Sequence, residues 1–348
     1  MKIKHILSSI IIGFCSLCLL ACHKSPEVVT ITGKTMGTTY SVKYIDDGQI
    51  KIKPIEMHGQ IEEILKEVNN KMSTYLSTSE LSQFNQNTQI DTPVEISADL
   101  AFVLKEAIRL HGVTEGALDV TVGPIVNLWG FGPEKRQPNE TLEEQVEKRR
   151  AWVGIEKMKL TEQGDKFYLA KTVPQLYIDL SSIAKGFGVD KVAAHLATKG
   201  IANYLVEIGG EINAKGKNIE GKDWQIAIEK PNFDGSRAVS QIIGLKDFSM
   251  ATSGNYRNYF EENGRRFSHE IDPKTGYPIE HRLASITVLA DSTMTADGLS
   301  TGLYVLGEEK ALEVAEKYNL LVYLISKTEK GFEAKMSSAF EKLLNEQH

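Results

Sequence analysis

The order of strand-like and helix-like segments limits the folds that this 348-residue chain can adopt. Alternating β-branched and aromatic residues predict strands, and apolar residues that recur every three or four positions predict helices. The two kinds of segment are mixed without regular βαβ alternation, and the sequence contains no internal repeat or low-complexity linker. We therefore predict an α+β fold with a mixed β-sheet core and surrounding helices, in one domain that has either one lobe or two.

Local signals place several helices. An apolar stripe predicts an amphipathic helix over residues 58–72. Ser97 is positioned to cap a second helix that runs to His111 and ends at Gly112. A further helix is expected after Ser182, with one of the two serines at that point as its cap.

The remaining segments are predicted from capping and turn signals. "TLEE", which begins at Thr141, is typical of a capping box, and "ASITVLA" is expected to be a strand that leads into a helix from about Thr295. The segment "NYFEENGRRFSHEID" is predicted to be a β-hairpin that turns at Asn263 and Gly264. "NYLVEI", "WQIAIEK" and "LLVYLIS" are predicted strands.

The first 30 residues differ from the rest of the chain. Two lysines precede an apolar run that ends in "LLAC", which is typical of a bacterial lipoprotein signal. We predict a signal peptide over residues 1–21, a lipid on Cys22, a tether over 22–30 and the folded domain over 31–348. An ordinary signal peptide that contains a cysteine is the alternative. With the lipid, the protein is expected in the bacterial cell envelope, anchored to a membrane.

Composition excludes some functions and narrows others. The formal net charge is -6 and there is no long basic run, which argues against nucleic acid as a partner. The three cysteines are Cys15, Cys18 and Cys22, so the folded domain has neither a disulfide nor a thiolate nucleophile. Any metal ion must therefore be bound by oxygen ligands or by histidine.

The stretch "IDLSSIAKGFGVD" (178–190) is predicted to be a strand that turns into a helix. Asp179 lies at the end of the strand, Ser181 or Ser182 can cap the helix, and Lys185 adds a positive charge one turn later. The free amides and the dipole of a helix N-terminus favour an anion such as phosphate. By itself the stretch also fits a capped helix whose two glycines serve packing.

The stretch "MTADGLSTG" (294–302) offers ligands for a hard cation. Asp297 and Thr301 are four residues apart, so a helix would place them on one face, with Ser300 beside them. A carboxylate and a hydroxyl suit Mg²⁺ or Ca²⁺, with backbone carbonyls as further ligands. The alternative is an exposed aspartate that the helix dipole favours.

Two further stretches could contribute to a site. In "RFSHEIDPKTGYPI", strand alternation is expected to place Phe267, His269 and Ile271 on one face, so His269 is either a core histidine or a base beside a ligand. "GALDVTVGPIVNLWGFGP" is predicted to be a binding loop, and Asp119 is its only acid. Tyr75, which follows the first long helix, could stack on a planar ring.

Seven motifs occur together in one order: "KTMGTTY", "MSTYLSTSELSQFN", "GALDVTVGPIVNLWGFGP", "IDLSSIAKGFGVD", "YLVEIGGEINAKG", "ATSGNYRNYFEENGRRFSHEIDPKTGYPIEH" and "MTADGLSTGLYVLG". On these motifs, from about Gly33 to Ser337, the chain resembles the ApbE family of FAD:protein FMN transferases. The resemblance implies a single ApbE-like domain and Mg²⁺-dependent transfer of FMN from FAD to a threonine or serine of a partner protein, with release of AMP. It implies acceptor flavoproteins that are subunits of membrane redox complexes, and a lipid-anchored enzyme on the periplasmic side, with the inner membrane favoured.

The resemblance also implies roles for particular residues. The residues expected to contact FAD are Met36, Tyr75, Ala117, Leu118, Asp119, Asp179, Lys185 and Ile271. Mg²⁺ is expected on Asp297, Thr301 and the backbone carbonyl of Ser182. His269 is the expected base, and Asp119 is the second candidate. Other members can have an acid at the position of Ser300, and Lys185 is not a lysine in all members.

Two other functions stay open. An FAD pyrophosphatase would use the same residues to deliver water in place of a protein hydroxyl, giving FMN and AMP. A lipid-anchored flavin-binding protein without catalysis would need neither the metal nor the base, and the presence of candidates for both argues against it.

Overall fold

The computed structural model describes residues 25–133, 142–230, 238–254, 259–262 and 265–347. Within these ranges the helices are α1 (Pro54–Met72), α2 (Glu80–Gln86), α3 (Ala98–Val113), α4 (Gly123–Leu128), α5 (Leu142–Arg150), α6 (Ala184–Thr198), α7 (Thr293–Leu306), α8 (Glu308–Tyr318) and α9 (Ser338–Gln347). The strands are β1 (Glu27–Thr35), β2 (Thr38–Asp46), β3 (Val94–Ile96), β4 (Met158–Gln163), β5 (Lys166–Lys171), β6 (Tyr204–Ile208), β7 (Glu211–Lys215), β8 (Trp224–Lys230), β9 (Ala238–Leu245), β10 (Phe248–Gly254), β11 (Tyr259–Glu262), β12 (Arg265–Ser268), β13 (Ile271–Asp272), β14 (Tyr277–Pro278), β15 (Leu283–Ala290), β16 (Leu321–Thr328) and β17 (Gly331–Met336).

An eight-stranded sheet forms the centre of the fold. Its strands follow the order β1-β2-β6-β7-β10-β15-β16-β17, and each neighbouring pair is antiparallel. A second sheet has the order β3-β5-β4, and the ribbons β8-β9, β11-β12 and β13-β14 have two strands each. The predicted α+β class is confirmed, and the pairs β1-β2, β6-β7 and β16-β17 of the main sheet are hairpins with short turns.

The sheet has an apolar layer on each face because its strands alternate in side-chain direction. In β6, Val206 packs with α1 and α6 residues, whereas Leu205 packs with β8, β9 and α9 on the other side. The helices α3, α7 and α8 share a third cluster with the inner residues of β15 and β16. The helix-covered face is the one that carries the candidate functional residues described below.

Two N-terminal helix ends meet on that face. The N-terminal turn of α6 packs against the start of α7, and the approach is so close that a Cβ at Gly186 would overlap the Thr293 carbonyl. The Asp190 carboxylate of α6 accepts the backbone amides of Thr293 at 2.8 Å and Met294 at 2.9 Å. Both helices are therefore fixed relative to one another by backbone contacts.

The helix predictions hold in outline. Residues 58–72 lie in α1, which begins earlier, at Pro54, a residue suited to a first helical turn. Ser97 caps α3 as predicted, with its side chain 3.2 Å from the Leu100 amide. The helix does not end at Gly112 but continues to Val113. The helix expected from Thr295 begins at Thr293, after the cap Ser292.

The predicted serine cap of α6 is wrong. This helix begins at Ala184, and the cap residue Ile183 offers no side-chain acceptor. Ser181 bonds instead to the Asp179 carboxylate through both its amide and its hydroxyl. The amides of Ile183 and Ala184 are satisfied by the Leu180 carbonyl, so the turn closes without a serine cap.

The strand and tether predictions need smaller corrections. β11 and β12 form the predicted hairpin, and its turn residues 263–264 lie outside the described residues, as does Thr141. Residues 27–30, which were assigned to the tether, pair with β2 as the start of β1. The signal segment and Cys22 also lie outside the described residues. Among the helices that the structure describes, none combines the length and hydropathy that a membrane span requires.

The close approach at Gly186 leads to a stability prediction. Gly186→Ala should lower the free energy of unfolding by about 1–3 kcal/mol, because the backbone of α7 must move to admit a methyl group. Gly59→Ala in α1 is the matched control: nothing lies within 4 Å of its Cβ position, so the change should raise stability by about 0.5–1 kcal/mol. Urea denaturation of both variants measures this, and equal shifts would contradict the packing described.

Candidate functional site

The centre of the site is a carboxylate on one helix that contacts the beginning of another. Asp297 in α7 is 3% exposed, and its Oδ2 accepts the Gly186 amide of α6 at 2.9 Å. The neighbouring Lys185 places its Nζ 2.6 Å from Oε1 of Glu211, the first residue of β7. The alternative interpretation of Asp297 as an exposed aspartate is wrong, because α7 packs between α6, α3 and the sheet.

The buried charges in this cluster do not balance. Lys185 is surrounded by the carboxylates of Asp297, Glu211 and Glu270. Burial raises the pKa of the Asp297 carboxyl well above its usual range, and the charge of Lys185 opposes that rise. Burial would lower the pKa of Lys185, but the carboxylates of Asp297 and Glu211 raise it. Lys185 is therefore a protonated lysine among a surplus of acids.

This surplus fits a divalent cation. Oε2 of Glu211 is buried and has no hydrogen-bond partner in the described part of the chain. Thr301 lies one turn after Asp297 in α7, so both predicted side-chain ligands are on one helix face. Across the described ranges, no group of three His, Cys, Asp or Glu residues could hold a metal alone. The predicted donor set is one carboxylate plus neutral oxygens, a combination that suits a Mg²⁺ ion which also binds phosphates.

The backbone carbonyl of Ser182, the third predicted metal ligand, is also available to bind a cation. Gly186 donates its amide to Asp297 rather than to the carbonyl four residues earlier, that of Ser182. No backbone amide in the described ranges donates to the Ser182 carbonyl. This oxygen can therefore face a cation beside Asp297.

Ser300 is held by two hydrogen bonds beside the predicted metal ligands. Its hydroxyl donates to the Asp297 backbone carbonyl at 2.9 Å and also lies 2.9 Å from the hydroxyl of Ser253. Ser253, at the end of β10, lies 3.4 Å from the Thr301 hydroxyl. Sequence analysis missed Ser253, although the motif "ATSGNYRNYF" contains it.

Tyr75 and Met36 lie at the open side of the cluster. The Tyr75 ring is 70% exposed, its hydroxyl donates to the Phe131 carbonyl at 3.1 Å, and partial burial and the charge of Asp179 raise its pKa. Met36 has a positive φ of 49° in the β1-β2 turn, and its Cε lies 3.0 Å from the Cβ position of Gly188. The Met36 side chain is therefore close to the first turns of α6, and Tyr75 is close to Asp179 in the segment before this helix. The prediction that this segment begins as a strand is wrong, because residues 178–180 form none and only Tyr177 makes a single bridge, to Val122.

The segment from residue 116 to residue 133 is packed structure, so the prediction of a binding loop is wrong. Ala117 and Leu118 are buried, and Leu118 packs against Gly298, the residue after Asp297. The second half forms α4 and packs around Ile271 and Trp129. Apolar side chains outnumber the glycines here, and they fill the space behind the site.

Asp119 occupies a different position from the other predicted residues. Its Oδ1 accepts the amide and the hydroxyl of Thr121 at 2.8 and 2.6 Å, and its Oδ2 lies 4.0 Å from His111 Nδ1. It forms part of the wall of a cavity of about 830 Å³ that also includes Lys274. The backbone beside it joins the site, because the Asp179 amide donates to the Val120 carbonyl at 2.8 Å.

His269 does not lie on a strand. β12 ends at Ser268 and β13 begins at Ile271, so the shared strand face expected for His269 and Ile271 is wrong. The chain turns here because the Ser268 hydroxyl accepts the Glu270 amide at 3.1 Å. His269 is 32% exposed, and its Nε2 lies 3.2 Å from the Glu270 carboxylate. It is therefore not a core histidine.

The residues form one connected group. The Phe131 ring lies 6.4 Å from the imidazole of His269 in an edge-on contact, and Phe131 also accepts the Tyr75 hydroxyl. Glu270, the partner of His269, acts electrostatically on Lys185. Sequence analysis missed Glu211, Glu270 and Phe131. The glycine pair before Glu211 was a usable signal, because glycines after a strand often allow a close approach.

Taken together, the site suits a ligand that carries phosphate groups and a planar ring, with a divalent cation beside Asp297. The model of the ApbE family matches residues 36–324, and the chain belongs to that family.

Known relatives agree with this assignment along nearly the whole chain. A FAD:protein FMN transferase of Haemophilus influenzae is 65% identical over 98% of each chain, and one of Vibrio cholerae is 53% identical over 96% of this chain and 98% of its own. Among solved structures, the flavin transferase ApbE from Vibrio cholerae has a TM-score of 0.83 at 51% identity and covers 91% of this chain and 99% of its own. The apo flavinyl transferase ApbE of Pseudomonas stutzeri has a TM-score of 0.82 at 39% identity, covering 91% and 97%.

The unpaired oxygen of Glu211 generates a prediction. Glu211→Gln should weaken Mg²⁺ binding in the presence of FAD by about tenfold or more, because it removes one buried negative charge next to the cation. Calorimetric titration with Mg²⁺ measures this, and Glu95→Gln, which removes an exposed charge in β3, is the control. Unchanged affinity in a folded Glu211 variant would show that the carboxylate only anchors Lys185.

Proposed function

We propose that this protein transfers FMN from FAD to a threonine or serine of an acceptor protein, in a Mg²⁺-dependent reaction that releases AMP. The observation that supports this most directly is the buried acid surplus around Lys185, beside an exposed tyrosine and a histidine–carboxylate pair. Membership of the ApbE family and relatives named FAD:protein FMN transferase support transfer of FMN from FAD to a protein.

The reaction breaks the phosphoanhydride bond of FAD and forms a phosphate ester bond. The acceptor hydroxyl oxygen forms a bond to the phosphorus of the FMN half, the bond from that phosphorus to the bridging oxygen breaks, and AMP leaves with that oxygen. Negative charge grows on the bridging and equatorial oxygens. A Mg²⁺ ion held by Asp297, Thr301 and the Ser182 carbonyl would neutralise this charge.

Lys185 contributes a fixed positive charge at the same place. The neighbouring carboxylates keep it protonated by raising its pKa, and its contact with Glu211 holds the ammonium group in one position. A preorganised cation stabilises developing charge without reorganisation during the reaction. Lys185 therefore orients the diphosphate and favours departure of AMP.

His269 is the proposed base. Its Nε2 is 3.2 Å from Glu270, so the carboxylate can orient the imidazole and stabilise the imidazolium that forms when the acceptor proton arrives. Asp119 is less suited to this role, because one of its oxygens already accepts two bonds from Thr121. We place the flavin ring against Tyr75, with Met36 and the backbone of 117–119 along the rest of FAD.

Hydrolysis of FAD is the second candidate function. Tyr75 is 70% exposed and His269 is 32% exposed, so the described residues leave the reacting region open to water. Water would then take the place of the acceptor hydroxyl and produce FMN and AMP. A bound acceptor would suppress this side reaction by covering the open side.

We further propose that the protein is anchored by a lipid on Cys22 at the periplasmic side of the inner membrane and modifies subunits of membrane redox complexes. Four residues lie between Cys22 and Glu27, the start of β1, and the chain from Cys22 to Glu27 can span about 15–18 Å when extended. The domain would therefore stay near the membrane that carries its acceptors. An intact mass without lipid on the mature protein would contradict this location.

The reaction can be tested directly. Incubation with FAD, Mg²⁺ and an extract of membrane proteins should give a flavin-fluorescent band that survives denaturation, and AMP should appear in equal amount. Asp297→Asn should abolish the band, because it keeps an acceptor for the Gly186 amide and removes the charge that holds the cation. FMN and AMP without a labelled band would favour hydrolysis, and normal transfer by Asp297→Asn would disprove the metal assignment.

Tyr75→Ala should weaken FAD binding by about 1–3 kcal/mol if the ring stacks on the flavin as aromatic side chains stack on bases. Fluorescence titration with FAD measures the affinity. Tyr318→Ala is the control, since Tyr318 is also exposed but lies in α8. An unchanged affinity for FAD in the Tyr75 variant would place the flavin elsewhere.

His269→Ala should lower the single-turnover transfer rate by about 10²–10⁴-fold and leave FAD affinity nearly unchanged, as expected for a base that acts in the transition state. Single-turnover transfer, FAD titration and thermal melting on the same preparations separate the effects. Normal transfer by a variant that melts early would give His269 a structural role, and Asp119 would become the leading candidate.

A further inference from the structure

The outer edge of β1 is long and regular. The strand has nine residues, pairs with β2 on one side without a register shift, and ends the order of the eight-stranded sheet. No other strand of the described ranges pairs with its outer side. An edge of this kind offers unpaired backbone amides and carbonyls to another extended chain.

The hairpin geometry identifies which backbone groups face outward. The turn between Thr35 and Thr38 has two residues, Met36 and Gly37, both with positive φ, of 49° and 73°. In such a turn the flanking residues form a hydrogen-bonded pair, so Thr35 directs its backbone groups toward β2. Because pairs alternate along an antiparallel ladder, the outward-facing groups belong to Val28, Thr30, Thr32 and Lys34.

This edge lacks the usual protection against pairing. The opposite edge strand, β17, has six residues and carries Glu333 and Lys335, of which Lys335 pairs with Glu308. Between Glu27 and Lys34, β1 contains no charge and no proline, and Val28 is 44% exposed. Edge strands that must stay unpaired are normally short, charged or interrupted.

The strand also leads to the candidate site. Its last residue precedes Met36, whose side chain reaches the α6 turn after Lys185. A cavity of about 530 Å³, with walls formed by Lys34 to Thr39, opens at this end. A chain that pairs with β1 would thus continue into the space beside the site.

We propose that the acceptor protein binds by adding an extended segment to the edge of β1, which delivers its threonine or serine past Lys34 to the flavin. This inference rests on the proposed function, which requires a protein hydroxyl to reach the site. Strand addition draws its affinity from backbone hydrogen bonds and its selectivity from alternate side chains. The uncharged, β-branched surface of Val28, Thr30 and Thr32 fits a segment of small or β-branched residues.

A pair of variants at one position tests the edge. Thr32→Pro removes an outward amide and leaves the bonds to β2, whereas Thr32→Val keeps the amide and changes only the side chain. With an acceptor purified by its fluorescent band, Thr32→Pro should lower kcat/KM for the acceptor by about tenfold or more through KM. Thr32→Val should change it little, and FAD affinity should be normal in both variants.

The result distinguishes this inference from the proposed function. If the wild type labels no acceptor, the proposed function fails, and if Thr32→Pro labels the acceptor with normal kinetics, only the edge is wrong. Should Thr32→Pro fold poorly, amide hydrogen exchange of the wild type gives the answer. The amides of Thr30 and Thr32 should become protected on addition of the acceptor, while those of Ile31 and Gly33 are protected throughout.

The alternative is that a second copy of the enzyme pairs with the outer edge of β1. In that case Thr30 and Thr32 would be protected without acceptor, in proportion to protein concentration, and light scattering would show a dimer. That outcome, or unprotected Thr30 and Thr32 amides in the complex with acceptor, would overturn the proposal.

Discussion

The reciprocal contact between α6 and α7 is the interaction on which the site depends. Asp297 of α7 accepts an amide at the start of α6, and Asp190 of α6 accepts two amides at the start of α7. Each helix thus satisfies free N–H groups of the other. Gly186 has no side chain, which permits the two helices to approach this closely. The close approach places Lys185 and Asp297 in one small volume.

That arrangement has an electrostatic cost which the ligand can offset. Burying several carboxylates around one lysine is unfavourable unless further positive charge or hydrogen bonds are present. The unpaired Glu211 oxygen shows that the described protein groups do not supply them. The proposed dication and a phosphate ligand would complete the network.

Helices and their caps could be predicted from the sequence, but contacts between residues far apart in the chain mostly could not. The apolar stripe of α1 and the Ser97 cap depend on neighbours within one turn, so they could be recognised. Ser181 does not cap α6 because it bonds to the Asp179 carboxylate instead, and this contact could not be read from the local pattern. Asp297 is buried because α6, α3 and the sheet all pack against α7, which local sequence patterns do not indicate. Its role as a metal ligand was suggested by the resemblance of the motifs alone. Glu211 could not be assigned to Lys185, because only the fold of β7 brings them together.

The direction of β1 determines how far the site lies from the start of the strand, which matters for both the proposed lipid anchor and the proposed acceptor binding. α1 runs alongside β1, since Asn69 near its end bonds to Thr35 at the end of the strand. The 19 residues of α1 span about 28 Å, so the site lies roughly that far from the point where the tether enters β1. If Cys22 carries the proposed lipid, the site would lie at the far end of β1 from the anchor. The proposed pairing of an extended acceptor segment with β1 would cover this length.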